Sequence, residues 1–216
     1  SVVSRMALPI SATALAESGL FAASALMMGW LGHLELAAHG IVLQLAAMTF
    51  MVHMGLAQAG TVRVGKAFAR QEWDAVSLTA KVSISLSTVF AIIAMTCFLG
   101  TPNFLIGIFL DHQDPFSVDI LRIGTLLLIF AALFQFVDGA QVIALSILRG
   151  MQDTRSPMII AAVSYWLIGL PVGYILGFVY DFKEVGIWLG LVAGLLMAAV
   201  LLWARFVILV RNYMIS

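Results

Sequence analysis

Six apolar runs divide this chain, at residues 6–28, 41–62, 82–99, 123–148, 157–180 and 185–204. Each is close to the length of about 20 residues that a helix needs to cross the hydrocarbon core of a bilayer. Inside hydrocarbon a spanning segment must satisfy its own backbone N–H and C=O groups, which leaves α-helices or closed barrels. A barrel strand reads as about 10 residues of alternating polarity, and no segment here alternates in that way. The fold class that follows is an all-α membrane protein with six transmembrane helices. Composition agrees, with 62% hydrophobic and 10% charged residues, where a soluble chain carries about 25% charged. The first run is too long for a signal peptide and lacks a cleavage site.

The breaks between runs carry helix-stop residues: Gly29, Gly32 and Gly40 after the first, Gly100, Pro102 and Pro115 after the third, and 149–157 after the fourth. Within the long loop 101–117, residues 104–110 suit a short interfacial helix ahead of Asp111 and Asp114. Six spans put both termini on one side, together with the second and fourth loops. That side gathers Arg5, Arg63, Lys66, Arg70, Lys81, Arg149, Arg155, Arg205 and Arg211. The opposite side has Arg122 and Lys183, among Glu35, Asp111, Asp114, Asp119, Asp181 and Glu184. Nine cations against two predict that both termini are cytoplasmic.

Only two of the six runs contain a charge, Glu17 in the first and Asp138 in the fourth. An acid at the bilayer centre costs about 2.5–3.5 kcal/mol on insertion scales, so function is its default reading. Thr13, Glu17 and Ser24 share one helix face at offsets of four and seven, and Gln135, Asp138 and Gln141 share another at offsets of three. Polar stripes of this kind suit a protein-facing or water-filled cavity. The two acids can accept protons or, with neighbouring hydroxyl and amide oxygens, act as hard ligands for Na⁺. The structural alternative is that each is a protonated, hydrogen-bonded link between helices. Neither has a Lys or Arg at matching depth in the sequence.

Gln44, His53 and Gln58 in the second run are further candidates for the cavity wall. A single His in a helix is more often a packed, hydrogen-bonded residue. Met27, Met28, Met48, Met51 and Met54 offer a soft apolar surface, although helical spacing suits core packing equally. Gly169, Gly173 and Gly177, and then Gly186, Gly190 and Gly194, form overlapping G-x-x-x-G motifs that let helices approach closely. Pro171 removes a backbone donor inside the fifth run and predicts a kink.

Enzyme chemistry finds little support. Asp138 is the one Asp inside a run, and His53 has no accompanying serine motif for an intramembrane protease. The sequence has no phosphate-cradling Gly loop. Its single cysteine, Cys97, excludes an internal disulfide and a thiolate metal cluster. Formal charge sums to zero, so no basic field for nucleic acid is present. No cofactor is implied, and work against a gradient would draw on an ion gradient.

Two segments carry a resemblance. The second run exits through Thr61-Val62-Arg63-Val64-Gly65, and the fourth through Leu148-Arg149-Gly150-Met151-Gln152-Asp153-Thr154-Arg155-Ser156-Pro157. Together with Ser164-Tyr165-Trp166-Leu167-Ile168-Gly169-Leu170-Pro171 and with Pro9 ahead of Glu17, they resemble the MATE (multidrug and toxic compound extrusion) family in its NorM-like branch. The resemblance runs over essentially all 216 residues. It implies a cation-coupled antiporter of twelve helices in two lobes, of which this chain resembles the C-terminal lobe. It also implies a small organic substrate, Na⁺ or H⁺ as coupling ion, a missing N-terminal lobe as partner, and a bacterial inner membrane as location. Glu17 and Asp138 look like the family's coupling acids on its seventh and tenth helices. Phe134, one turn before Asp138, offers no hydroxyl for an aromatic oxygen ligand. The glycines usual after the VRVG element are replaced by Lys66-Ala67-Phe68-Ala69-Arg70. Two rival readings are a flippase of a related lipid- or polysaccharide-exporting family, which would want a more basic cavity, and a non-transporting membrane scaffold.

Overall fold

Six helices in the computed structural model are long and apolar enough to cross a membrane. The structure describes residues 2–110 and 115–215, with side chains from 7–110 and 115–214; Asp111, Asp114 and the side chain of Arg5 lie outside the described residues. In chain order the elements are α1 (Val2–Leu31), α2 (His33–Ala69), α3 (Trp73–Gly100), the short α4 (Pro102–Gly107) and α5 (Ser117–Gly150). They are followed by α6 (Arg155–Val179) and α7 (Lys183–Ile215). Five of the apolar runs lie inside one helix each, and the run 157–180 ends one residue past α6, on Tyr180.

The helices outrun the apolar stretches because nothing in the flanking polar sequence stops them. Gly29 and Gly40, expected as breaks, sit inside α1 and α2, and the chain turns only at Gly32. A lone helical Gly costs only about 1 kcal/mol, too little to end a helix of this length. Past the VRVG element, Lys66 to Ala69 simply continue α2, which stops at Arg70 with Gln71 in the left-handed region. The short interfacial helix begins at Pro102 and ends at Gly107, earlier than 104–110, because Pro102 starts it at its first turn. Its Ile106 is buried against Gly124 of α5.

α5 is the central post. It packs against α2, α3, α4 and α7 and has a buried residue at nearly every position from Val137 to Leu148. The two sequence elements that carried the family resemblance meet here. Thr61 Oγ1 donates to the Ser146 carbonyl at 3.0 Å, and a Cβ on Gly150 would lie 2.8 Å from the Thr61 carbonyl. At the α5–α6 turn Gln152 takes φ 64° and the Asp153 N–H returns to the Leu148 carbonyl, a Schellman-type closure. Asp153 then accepts from the Ser156 N–H and from Arg205 Nε of α7, at 3.3 and 2.9 Å, so one carboxylate ties the turn to the last helix.

α6 accommodates Pro171 by changing its winding. Segments Ser164–Gly169 and Ile175–Val179 are π-helical and flank the turn that holds the proline. Such bulges absorb a missing i→i−4 bond. The two glycine motifs face each other across α6 and α7. A Cβ on Gly190 would fall on the Gly173 backbone, one on Gly186 on the Gly177 backbone, and one on Gly194 2.9 Å from Gly169 Cα. Gly190→Ala is therefore expected to lower stability by about 1–3 kcal/mol, the usual cost of overpacking. Gly55→Ala, where an added Cβ meets nothing within 4 Å, should be neutral or slightly stabilising. Thermal unfolding of the purified variants in detergent checks both.

Candidate functional site

Short hydroxyl side chains and long polar ones behave differently in these helices. Thr13, Thr49, Thr61, Thr79, Thr88, Thr96 and Thr125 all donate to a carbonyl three or four residues back in their own helix. Ser24 and Ser146 do the same. Such back-bonding needs no second helix. A carboxylate has no proton to give to a carbonyl, and it must find its partner elsewhere.

Glu17 and Asp138 turn to the same cavity. They line one cavity of about 350 Å³ between α1, α2 and α5. α1 contributes Glu17 and Phe21, one turn apart; α2 contributes Gly40, Leu43, Gln44, Ala47 and Phe50; α5 contributes Phe134 and Asp138. The α2 residues recur at offsets of three and four and so form one stripe. Gly40 leaves open space where a Cβ would stand. α1 packs on α2, α6 and α7 and meets α5 across the cavity through an edge-to-face contact of Phe21 with Phe134, centroids 6.1 Å apart.

Asp138 is buried, and its Oδ1 has no hydrogen-bond partner among the described residues. Its charge and that of Glu17 act on each other. Two like charges on one low-dielectric cavity are stabilised by positive charge brought between them. The sequence offered no cation at matching depth, yet the Arg149 guanidinium comes within electrostatic reach of Glu17, without a salt bridge. The sequence distance of 11 residues from Asp138 hid this approach, since Glu17 belongs to a different helix. Among the described residues no three His, Cys, Asp or Glu gather as a metal cluster.

Of the residues singled out in the sequence, Glu17, Gln44, Phe134 and Asp138 border this cavity. The other six, Thr13, Ser24, His53, Gln58, Gln135 and Gln141, do not border it. Thr13 and Ser24 are buried and bonded to carbonyls of their own helix. His53 Nδ1 pairs with Ser87 Oγ of α3 at 2.8 Å, its ring edge-on to Phe90. Gly139 makes room for that pair, since a Cβ there would lie 2.5 Å from Ser87 Oγ and 2.8 Å from the imidazole. Gln135 is buried beside His53. Gln141 Nε2 donates to the buried Tyr165 hydroxyl at 2.6 Å. The Asp138 stripe thus splits, its acid facing the cavity and its amides facing neighbouring helices.

Sequence reasoning passed over His39. Its Nε2 lies 3.3 Å from Ser24 Oγ and its ring is edge-on to Trp188, which is edge-on to Phe134. Ser24, His39, Trp188, Phe134 and Phe21 thereby close a buried ring of contacts beside the cavity, drawn from α1, α2, α5 and α7. Met27 and Met28 are core residues, whereas Met48, Met51 and Gln58 lie on an exposed face of α2.

Ser87→Ala removes the Nδ1 partner of a fully buried His53. The expected loss is about 1–3 kcal/mol, the cost of an unsatisfied buried polar group, read as a lowered thermal midpoint in detergent. A midpoint equal to that of the unaltered protein would show that the pair contributes nothing.

The family model MatE matches residues 9–175. The "Probable multidrug resistance protein NorM" of Rhizobium meliloti (strain 1021) is 44% identical over 210 residues, 97% of this chain and 45% of the relative. The protein of the same name from Agrobacterium fabrum (strain C58) is 42% identical over 212 residues, 98% and 46% of the two chains. The chain thus spans about half the length of these curated relatives. In fold it is similar to the crystal structure of MATE in complex with MaL6, with a TM-score of 0.88, 15% identity, and coverage of 100% of this chain and 48% of the other.

Proposed function

The chain belongs to the MatE family, and from that membership we propose that it forms the C-terminal six-helix lobe of a cation-coupled antiporter, one that exports organic, chiefly cationic, toxic compounds across a bacterial inner membrane. The observation that carries the proposal is the cavity bordered by both intramembrane acids, Glu17 and Asp138. Na⁺ or H⁺ bound there relieves the repulsion between the carboxylates. Coupling follows if the cation binds the inward- and outward-facing states with different affinity. The aromatic lining from Phe21, Phe50 and Phe134 supports a preference for organic cations. No Lys or Arg lines the cavity, which weighs against the anionic headgroups a flippase would carry. The exposed α2 stripe with Gln44, Met48, Met51 and Gln58 is the face on which an N-terminal lobe would sit.

Neutralising the acids in the full-length transporter, by Glu17→Gln and Asp138→Asn, is expected to reduce gradient-driven ethidium efflux from cells at least tenfold. An imposed Na⁺ gradient at fixed pH, and a pH gradient without Na⁺, identify the ion. Efflux that kept its gradient dependence in both variants would overturn the assignment.

The distribution of Lys and Arg supports cytoplasmic termini. In a Cys97→Ser background, a cysteine at Gln71 in the α2–α3 turn should be shielded from an impermeant maleimide in intact cells and react after permeabilisation. A cysteine at Phe182 in the α6–α7 turn should react from outside. The opposite pattern would invert the topology.

A further inference from the structure

A second cavity lies away from the acids. Between α3 and the last turns of α7 runs a groove of about 620 Å³, floored by Ala80, Ile84, Phe206 and Val210. Trp203 borders its deep end and is held there by an indole N–H bond of 3.0 Å to the Ala140 carbonyl. Two cations, Lys81 of α3 and Arg211 of α7, line this track, whose other residues are apolar except for Ser77.

The level of the groove in the bilayer can be read from its neighbours. Trp73 stacks on Tyr213 with centroids 4.7 Å apart and rings 7° from parallel, and Phe68 is edge-on to both. Trp and Tyr collect at the membrane–water boundary. Arg211, two residues from Tyr213, is therefore near that boundary, and Lys81, eight residues along α3 from Trp73, lies about 12 Å deeper. Lys81 thus stands at the edge of the apolar run 82–99, where an unpaired cation facing lipid attracts an anionic headgroup. No acid lines the groove. Among the described residues neither Lys81 nor Arg211 forms a salt bridge, whereas Arg70 and Arg205 pair with Glu72 and Asp153 at 3.9 and 2.9 Å.

We infer that this groove is a binding site for an anionic phospholipid, with an acyl chain along the apolar floor and the phosphate held between the Lys81 ammonium and the Arg211 guanidinium. The flexible Lys81 stem lets its ammonium rise toward the headgroup level. Arg211 supplies planar donors suited to phosphate oxygens. The carboxylates Glu17 and Asp138 border a different cavity, so this site stands or falls independently of the transport proposal.

Native mass spectrometry of the full-length transporter, purified with equal amounts of phosphatidylglycerol and phosphatidylcholine of identical acyl chains, tests it. The unaltered protein should retain phosphatidylglycerol preferentially. Lys81→Gln and Arg211→Gln should each lower that preference roughly five-fold, and the pair should remove it. Lys66→Gln, at the same end of the bundle and outside the groove, should leave it intact. Val207→Trp, at an exposed lining position, should fill the track and reduce retention of both lipids. Equal retention of the two lipids by the unaltered protein, a preference that survives the double variant, retention unaffected by Val207→Trp, or a second copy of the chain seated on the groove would each overturn the inference.

Discussion

In hydrocarbon, every polar group that a chain carries must be met by another group of the protein or by something bound to it. The backbone meets this condition by forming helices, including the π-wound turns on either side of Pro171. The threonines, with Ser24 and Ser146, meet it by bonding to their own helices, whereas Ser87 turns to His53 and the buried Ser164 Oγ has no partner among the described residues. What remains is a small set that local structure cannot satisfy: two carboxylates, the amides of α5 and two buried histidines. The arrangement of the bundle around α5 is in large part the answer to where these groups go. The amides and His53 are matched or packed between helices, and the acids are turned to a common cavity.

The contrast between Gln141 and Asp138 makes the point on a single helix turn. Gln141 carries a donor and finds the Tyr165 hydroxyl. Its Oε1, like Asp138 Oδ1, has no hydrogen-bond partner among the described residues, but Asp138 also lacks a donor of its own and borders the cavity. The same stripe therefore serves both cohesion and a site that waits for positive charge. The surroundings of the acid are rigid on the α5 side, where Gly139 fits closely to the His53–Ser87 pair. On the α1 side Phe21 and Phe134 make an edge-to-face contact across the gap.

Much of this was legible in the sequence, and for physical reasons. Runs of about 20 apolar residues have one stable solution in a bilayer, and acids inside them are too costly to be incidental. Glycines at four-residue spacing announce close backbone contact, and they make it. The remainder depended on three-dimensional neighbours that spacing does not encode. Thr13 and Ser24 share a face with Glu17 but turn to their own carbonyls, a choice open to any short hydroxyl. Arg149 acts on Glu17 from another helix through its charge alone, without a salt bridge. His39 falls just outside the apolar run 41–62, beside Gly40, which read as a break although α2 runs through it.

The glycine seam between α6 and α7 has a mechanical consequence. Glycine meets glycine at three successive levels, 177 with 186, 173 with 190 and 169 with 194, so the two backbones are geared to one another. A lengthwise slip smaller than four residues, about 6 Å at the helical rise, would drive a side chain into a backbone. The hairpin is thus locked along its axis and carries load as one strut. α1 packs on this hairpin and on α2, and it meets α5 across the cavity through Phe21 and Phe134.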